Sequence, residues 1–318
     1  MLDVTAMGEL LIDFTLQSAD PQGYPTMAAH PGGAPANFLA ALAAFGAKTA
    51  FLGKVGNDTF GKLLRSTLES AKIETSGLIL SEDVFTTLAF VTLDDTGDRE
   101  FSFARKPGAD TCISFEELDL RLIDAARAFH FGTLSLTHEP ARTATRQAVA
   151  YAKSGGKLIS FDPNLRKPLW DSMEEAGRQM LWGLSRADVV KISDEEVAFL
   201  FGCAPEEGAA RILEDFDVKL VFVTCGEKGC FFQNQNAKGW VNALPGFFVV
   251  DTTGAGDIFG GSAMFRLLST GKPPEELSLE ELRQIVRFAC TAAGLSTTKP
   301  GGISSVPDYQ EVMDRLNS

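Results

Sequence analysis

The sequence predicts an α/β protein: a three-layer α/β/α domain around a mostly parallel central sheet, with a small β-sheet lid. Three observations carry that prediction. Apolar runs of strand length alternate with segments of helical period along most of the chain. Residues 84–110 break the alternation with two strand-like runs across a polar turn. Several apolar runs end on a polar or charged residue, and ligands of such sheets bind beyond the carboxyl ends of the strands.

The elements follow in order. Residues 4–13, from Val4 to the acid Asp13, predict a first strand. Residues 14–31 are rich in Gly, Pro and Ala and show no clear period. Residues 36–45 predict a helix stopped by Gly46, and residues 49–55 a strand. Residues 60–70 predict a helix with Phe60, Leu63, Leu64, Thr67 and Leu68 on one face. Residues 85–93 and 99–105 form a hairpin pattern around Asp94-Asp95-Thr96-Gly97-Asp98, with Phe101, Phe103 and Arg105 on one side because strand side chains alternate.

From residue 111 the alternation resumes. Strands are predicted at 128–134, 158–162, 189–192 and 220–224, and helices at 141–153, 194–201 and 281–296. The run Phe247-Phe248-Val249-Val250 reads as a strand feeding a last Gly-rich turn. Asp13, Asp162, Lys191, Thr224 and Asp251 all fall at strand ends in this reading.

Composition narrows the function. The chain has 318 residues, 45% hydrophobic and 22% charged, the profile of a soluble globular protein. A net charge of −13 argues against general binding of nucleic acid or anionic membranes, but not against a local anion cradle. Five cysteines without CxxC spacing and three scattered histidines (His30, His130, His138) offer no zinc pattern. Asp3, Glu9 and Asp13 interrupt any signal-peptide pattern, and no run approaches the ~20 apolar residues of a membrane span. A cytoplasmic protein is expected.

The chemistry concentrates in Asp251-Thr252-Thr253-Gly254-Ala255-Gly256-Asp257. A Gly-rich turn opening a helix offers unpaired N–H groups and partial positive charge, a seat for phosphate. An aspartate placed there can take a proton from a nucleophile. Together they point to phosphoryl transfer. The Rossmann alternative fails on spacing, since Gly254, Gly256 and Gly260 give GxGxxxG. Gly56-Asn57-Asp58-Thr59-Phe60-Gly61-Lys62-Leu63 matches GxxxxGK, but Leu63 stands where a Walker A turn needs Ser or Thr for Mg²⁺, so an ordinary strand–turn–helix connection is the reading.

Gly32-Gly33-Ala34-Pro35-Ala36-Asn37 is a second Gly-rich helix start, with an amide suited to a hydroxyl-rich ligand. Asp162-Pro163-Asn164-Leu165-Arg166 leaves a strand end with an acid, an amide and a guanidinium able to clamp a transferring phosphoryl group. Glu195-Glu196 opens a helix, with dipole complementation and a metal role both open.

These segments together resemble the PfkB-type (ribokinase-like) carbohydrate kinases over essentially the whole chain, and within them the fructokinases. The likeness rests on the two signatures, 32–37 and 251–257. It also rests on Phe103-Ala104-Arg105-Lys106-Pro107-Gly108-Ala109-Asp110 and on Phe161-Asp162-Pro163-Asn164-Leu165-Arg166-Lys167-Pro168-Leu169-Trp170.

The resemblance implies a ribokinase-like fold. Residues 1–12, 32–83 and 111–318 would form the nucleotide-binding domain, and 13–31 and 84–110 the lid over the sugar. It implies that Asp257 is the catalytic base, that Gly254, Ala255 and Gly256 form an anion hole, and that Arg166 approaches the transferred phosphate. Asp13, Gly32, Gly33 and Asn37 would hold the sugar, with Arg105 reaching in from the lid. Lys191, Thr224, Gly226 and Gly229 would border the nucleotide, and residues 287–296 its adenine side. The family's NxxE motif, which holds Mg²⁺ through water, stands here as Ser193-Asp194-Glu195-Glu196, with hydroxyl for amide and Glu196 as the retained acid. Asp251, Thr253, Gly301 and Ser305 match the pattern of a K⁺ site beside the anion hole.

The implied activity is MgATP-dependent phosphorylation of D-fructose at O6, with a homodimer formed through the lid. A 2-keto-3-deoxygluconate kinase or another sugar kinase of the family is the alternative, and a non-catalytic sugar-binding regulator the alternative of a different class.

Overall fold

The chain starts in the middle of its main sheet and leaves it within eight residues. The computed structural model describes residues 1–93 and 99–317; the side chains of residues 92, 93 and 99–101 also stand outside that description. The expected turn at Asp94 to Asp98 and the side chain of Phe101 therefore lie outside the described residues.

β1 (Leu2–Met7) is followed by β2 (Leu11–Ala19), β3 (Pro25–Gly32), α1 (Ala34–Ala44), β4 (Thr49–Gly56), α2 (Thr59–Ser70), β5 (Ile73–Glu74) and β6 (Leu78–Ser81). β7 (Leu88–Leu93) and β8 (Arg99–Ala104) follow. The alternation then runs through α3 (Leu120–Asp124), β9 (Ala126–Gly132), α4 (Ala141–Ser154), β10 (Leu158–Asp162), α5 (Met173–Leu184) and β11 (Val189–Ser193). It continues with α6 (Asp194–Phe201), α7 (Pro205–Phe216), β12 (Leu220–Thr224), β13 (Cys230–Asn234) and β14 (Lys238–Val241), and closes with α8 (Ala255–Thr270), α9 (Leu279–Ser296) and α10 (Tyr309–Asn317).

The main sheet has the order β14-β13-β12-β11-β10-β9-β1-β4-β5, with β6 also paired to β4. Strands from β12 to β5 pair in parallel, and β13 and β14 add an antiparallel edge. Alternate residues of one strand feed two separate cores. Val189 packs with α1, α8 and α9, while Val190 packs with α4, α5 and α7. A sheet covered on both faces is the three-layer architecture expected from the alternation.

The second sheet has the order β3-β2-β7-β8, parallel at β2–β7 and antiparallel elsewhere. It corrects the expected first strand. Gly8, Glu9 and Leu10 interrupt residues 4–13, and Asp13 lies inside β2 of the second sheet, opposite His30 and Ala89. The segment 14–31, without period in the sequence, supplies most of the β2–β3 pair. A further correction concerns Phe247 to Val250, which form no strand; Phe248 is 84% exposed. Asp251 therefore does not close a strand.

α1 and α8 carry the two Gly-rich signatures and lie against each other. The backbone of Phe38 comes so close to Gly261 that a Cβ there would collide with its carbonyl oxygen and meet Ala41 Cβ at 2.9 Å. Gly261→Ala should push the two helices apart and cost about 1–3 kcal/mol, as overpacking does. Urea unfolding checks it; an unchanged midpoint would mean that the contact is slack.

Candidate functional site

The turn before α8 is built by one carboxylate. Asp251 Oδ1 accepts the Thr253 amide (2.9 Å) and hydroxyl (2.7 Å), and Oδ2 accepts the Gly301 amide at 2.9 Å. Asp251 thus ties the turn to the loop before α10. Gly254 then takes φ 76°, in the left-handed region. A Cβ there would sit 3.0 Å from Gly302 Cα and 3.1 Å from Asn37 Nδ2. The turn passes between Asn37 and Gly302 because it has no side chain at that point.

Asp257 lies in the first turn of α8 and is 6% exposed. Its Oδ2 accepts Asn37 Nδ2 at 2.8 Å, and its Oδ1 accepts Asn164 Nδ2 at 2.8 Å. Burial raises its pKa, against the Asn37 hydrogen bond and the charges of Lys191 and Arg166. A carboxylate whose pKa is raised is the stronger base when ionised, which suits a proton acceptor. Asn37 Oδ1 is buried and has no protein partner, so it can still accept from a hydroxyl.

Lys191 points from β11 toward the same turn. Its ammonium lies where a Cβ on Gly256 would stand only 2.9 Å away, and it pairs with Asp162 Oδ2 at 3.1 Å. Burial works against its charge, but Asp162, Glu196 and Asp257 outweigh burial and raise its pKa. Lys191 is therefore an ammonium beside the N-terminus of α8, where positive potential already accumulates. Of the three amides expected to form the anion cradle, that of Ala255 leans on the Thr252 carbonyl at 3.3 Å.

Glu196 has an additional structural role. Ser193 and Glu196 form a capping box: the Glu196 amide donates to Ser193 Oγ (3.2 Å), and Glu196 Oε2 accepts the Ser193 amide (2.8 Å). Its Oε1 accepts the Leu165 amide at 2.7 Å, so this carboxylate also fixes the loop after β10. The S-x-x-E spacing is readable in the sequence as a cap.

A cavity of about 540 Å³ joins these groups. Asp13, Gly33, Asn37, Arg166 and Lys191 line it, as do Glu196, Thr224, Gly226, Thr253, Gly254, Gly256 and Asp257. Gly229, Ala255, Asp251, Gly301 and Ser305 lie outside its lining, and Gly32 sits directly behind the Asp13 carboxylate. Leu11, Asp13, Thr15, Val91 and Phe103 form the wall contributed by the second sheet. Burial pushes Asp13 up to about 6, with Arg166 pulling down and Asp257 and Asp251 pushing up.

Arg105 corrects an expectation. It does not line this cavity. Its Nε and one terminal nitrogen donate to Asp110 Oδ2 (2.9 and 2.6 Å), and further donors reach Thr137 Oγ1 (2.8 Å) and the Leu134 carbonyl (2.9 Å). Its open side faces another cavity, of about 650 Å³, between α2 and the second sheet. That larger cavity holds none of the turn residues around Asp257 and is lined by Phe60, Phe85 and Leu88 among others, so the chemistry belongs to the smaller one. The GxxxxGK segment is a plain helix start, as expected: Asp58 caps α2 through the amides of Phe60 (2.9 Å) and Gly61 (2.8 Å). The helix amides that a phosphate would need are taken.

Among the described residues, no group of three or more His, Cys, Asp or Glu side chains could hold a metal ion. Of the carboxylates near the turn, Glu196 lines the cavity and its oxygens already accept the Ser193 and Leu165 amides, so a hard divalent cation arriving on phosphate oxygens would meet it through water. No helix among the described residues is long and apolar enough to cross a membrane.

The chain has extensive relatives among known proteins. Residues 1–309 match the family described as pfkB family carbohydrate kinase. The chain is 40% identical over 321 residues to fructokinase-2 of Solanum lycopersicum, covering 98% of this chain and 95% of that protein. The crystal structure of a Xylella fastidiosa fructokinase with bound ATP superposes with a TM-score of 0.91 at 30% identity, covering 100% and 99% of the two chains. A fructokinase of Vibrio cholerae O395, solved with fructose, ADP and calcium, gives 0.86 at 31% identity, covering 99% of each.

Two residues of the cavity were not predicted for the site. Asn164 stood in a segment noted for its acid, amide and guanidinium, and nothing in its spacing says which side chain turns inward. Glu9 carried no signal beyond its place two residues after an apolar strand. It is 2% exposed, lines the cavity, and accepts the Ala34 amide at 2.8 Å. Gly33, the residue before α1, has no side chain to cap the helix, so Glu9 does it from a distance.

Burial pushes Glu9 up to about 7 from an ordinary 4.5, against hydrogen bonds from its own and the Ala34 amides. The folded protein thus holds a proton that the unfolded chain has lost. Stability tied to Glu9 is full below about pH 4.5 and is lost as pH rises through about 7. Glu9→Gln keeps an acceptor and removes the titration. It should be more stable than the parent by about 1–3 kcal/mol at pH 8, with the difference shrinking toward pH 5. Urea unfolding at both values checks it; a pH-independent difference would show that Glu9 does not titrate there.

Proposed function

The chain belongs to the pfkB family of carbohydrate kinases, and on that footing we propose that it transfers the γ-phosphoryl group of MgATP to O6 of D-fructose. The observation that carries the reading is the buried Asp257 carboxylate at the start of α8, facing the cavity where Lys191 lies against Gly256.

In this mechanism the sugar hydroxyl lies beside Asp257, and its proton passes to the carboxylate as the oxygen attacks the γ-phosphorus and the bond from that phosphorus to the β-phosphate oxygen breaks, releasing ADP. Lys191, Arg166 and the amides of Gly254 and Gly256 neutralise charge on the moving phosphoryl group. Positioning and electrostatics supply most of the acceleration in such transfers. Mg²⁺ bound with ATP would add charge neutralisation at the phosphates, and Glu196 would hold it through water. Thr224, Gly226 and Gly229 border the nucleotide, and residues 287–296 flank its adenine. Asp251, Thr253, Gly301 and Ser305 supply the oxygen atoms that would hold a K⁺ ion. The main sheet with its helices is the nucleotide-binding domain, and the second sheet is the lid that keeps water from the phosphoryl group.

The sugar end favours a neutral substrate. Asp13 and Glu9 are its acids, and among the described residues no cation lines the wall given by the second sheet. Arg105, the group that would have met the carboxylate of 2-keto-3-deoxygluconate, is committed to Asp110. Leu16 on β2 and Tyr24 in the turn before β3, 43% and 69% exposed, suit a homodimer formed through the lid; a monomer by light scattering would remove that part. Five thiols without a bridge and a need for MgATP suit the cytoplasm.

ADP release measured across a sugar panel should rank fructose first and sugar acids last, with higher turnover in K⁺ than in choline. Preference for 2-keto-3-deoxygluconate would overturn the fructose assignment. Asp257→Asn should still bind MgATP and fructose yet lose about 10²–10⁴ in kcat, the usual worth of a positioned base. Near-normal turnover by this variant would sink the base assignment.

A further inference from the structure

We infer that Asn164 is the positioning residue of the catalytic base, and that its left-handed backbone serves that task. The inference rests on Asp257 being the base.

Asp257 receives one amide donor on each carboxylate oxygen, both at 2.8 Å, from different parts of the fold. Asn37 comes from α1 and has a second, unpartnered atom free for a hydroxyl. Asn164 comes from the loop after β10 and is 7% exposed. The two donors are neutral. A cation in either place would pull the carboxylate's pKa down and weaken it as a base, whereas an amide fixes its plane with a smaller effect.

The loop around Asn164 is fastened at every residue. The Asn164 amide donates to Asp162 Oδ1 at 3.1 Å, and the Leu165 amide to Glu196 Oε1 at 2.7 Å. The Pro163 carbonyl accepts from the Thr133 amide at 3.3 Å and from its hydroxyl at 2.5 Å. Asn164 itself stands at φ 45°, a region that non-glycine residues seldom occupy and that Asn tolerates better than most. This conformation turns its side chain into the cavity toward α8 while Arg166, two residues on, lines the same cavity. One short loop therefore sets the plane of the base and holds the residue expected at the phosphate.

Asn164→Gly keeps the backbone conformation and deletes the amide. It should retain the parent's melting temperature and its affinity for MgADP within about threefold. Its kcat should fall by about 10–100-fold with KM for ATP little changed, and the acid limb of the kcat–pH profile should move up, because a donor to the ionised form is gone. Asn164→Asp places a second carboxyl beside the base and should move that limb up further. In the Asp257→Asn background, Asn164→Gly should change kcat by less than about twofold, since residues acting as a unit are not additive.

A parent-like kcat and acid limb in Asn164→Gly would overturn the inference. So would an undiminished effect in the Asp257→Asn background, which would place the action of Asn164 elsewhere. Should Asp257→Asn alone keep normal turnover, the base assignment fails and the inference fails with it, whereas a parent-like Asn164→Gly beside an inactive Asp257→Asn would overturn the inference alone.

Discussion

The site depends on one constraint: a carboxylate must be taken out of water and still be able to ionise. Moving a bare carboxylate into a protein interior costs several kcal/mol even after relaxation. Asp257 meets that cost with two neutral amides, two cations that act on it through space, and its place in the first turn of α8. Hydrogen bonds to an ionised group contribute about 1.5–3 kcal/mol each. The supporting groups come from α1, the β10 loop and β11, so the whole parallel sheet has to be in register before this one side chain is comfortable. Parallel strands bring their carboxyl ends to one edge, and that edge is where these donors can converge.

Part of this was legible in the sequence because backbone demands leave marks. Gly254 is needed where the turn squeezes between Asn37 and Gly302, and the glycine pair before α1 is needed where Gly33 crosses the Glu9 backbone. Such positions appear as motifs. The alternation of strand and helix was legible for the same kind of reason, since strands buried on both faces leave continuous apolar runs.

What was not legible depends on direction rather than type. Asp13 reads as the end of a long strand because Leu10, Leu11 and Ile12 are all buried, and burial alone does not reveal that the chain changes sheets at Gly8 to Leu10. Phe247 to Val250 look like a strand because they are apolar, but only packing decides that, and Phe248 remains in solvent. Arg105 sits in a segment that resembles the family's lid, yet Asp110, five residues on, claims its guanidinium.

Glu9 shows how the sugar end and the fold share a single solution. Gly33 cannot be replaced by a capping residue, because any Cβ there would collide with the Glu9 carbonyl. The first turn of α1 therefore lacks a local side-chain cap: the Ala36 and Asn37 amides reach the Gly33 carbonyl, but the Ala34 amide still needs a partner. A carboxyl from the junction between the two sheets is the group within reach. Using it buries an acid under the cavity and raises its pKa, which costs stability at neutral pH. In return the junction, the helix that carries Asn37 and the wall that carries Asp13 are held to one another by a single side chain. In the proposed reaction, a residue that looks like a capping device thereby helps to set the spacing between Asp257 and Asp13.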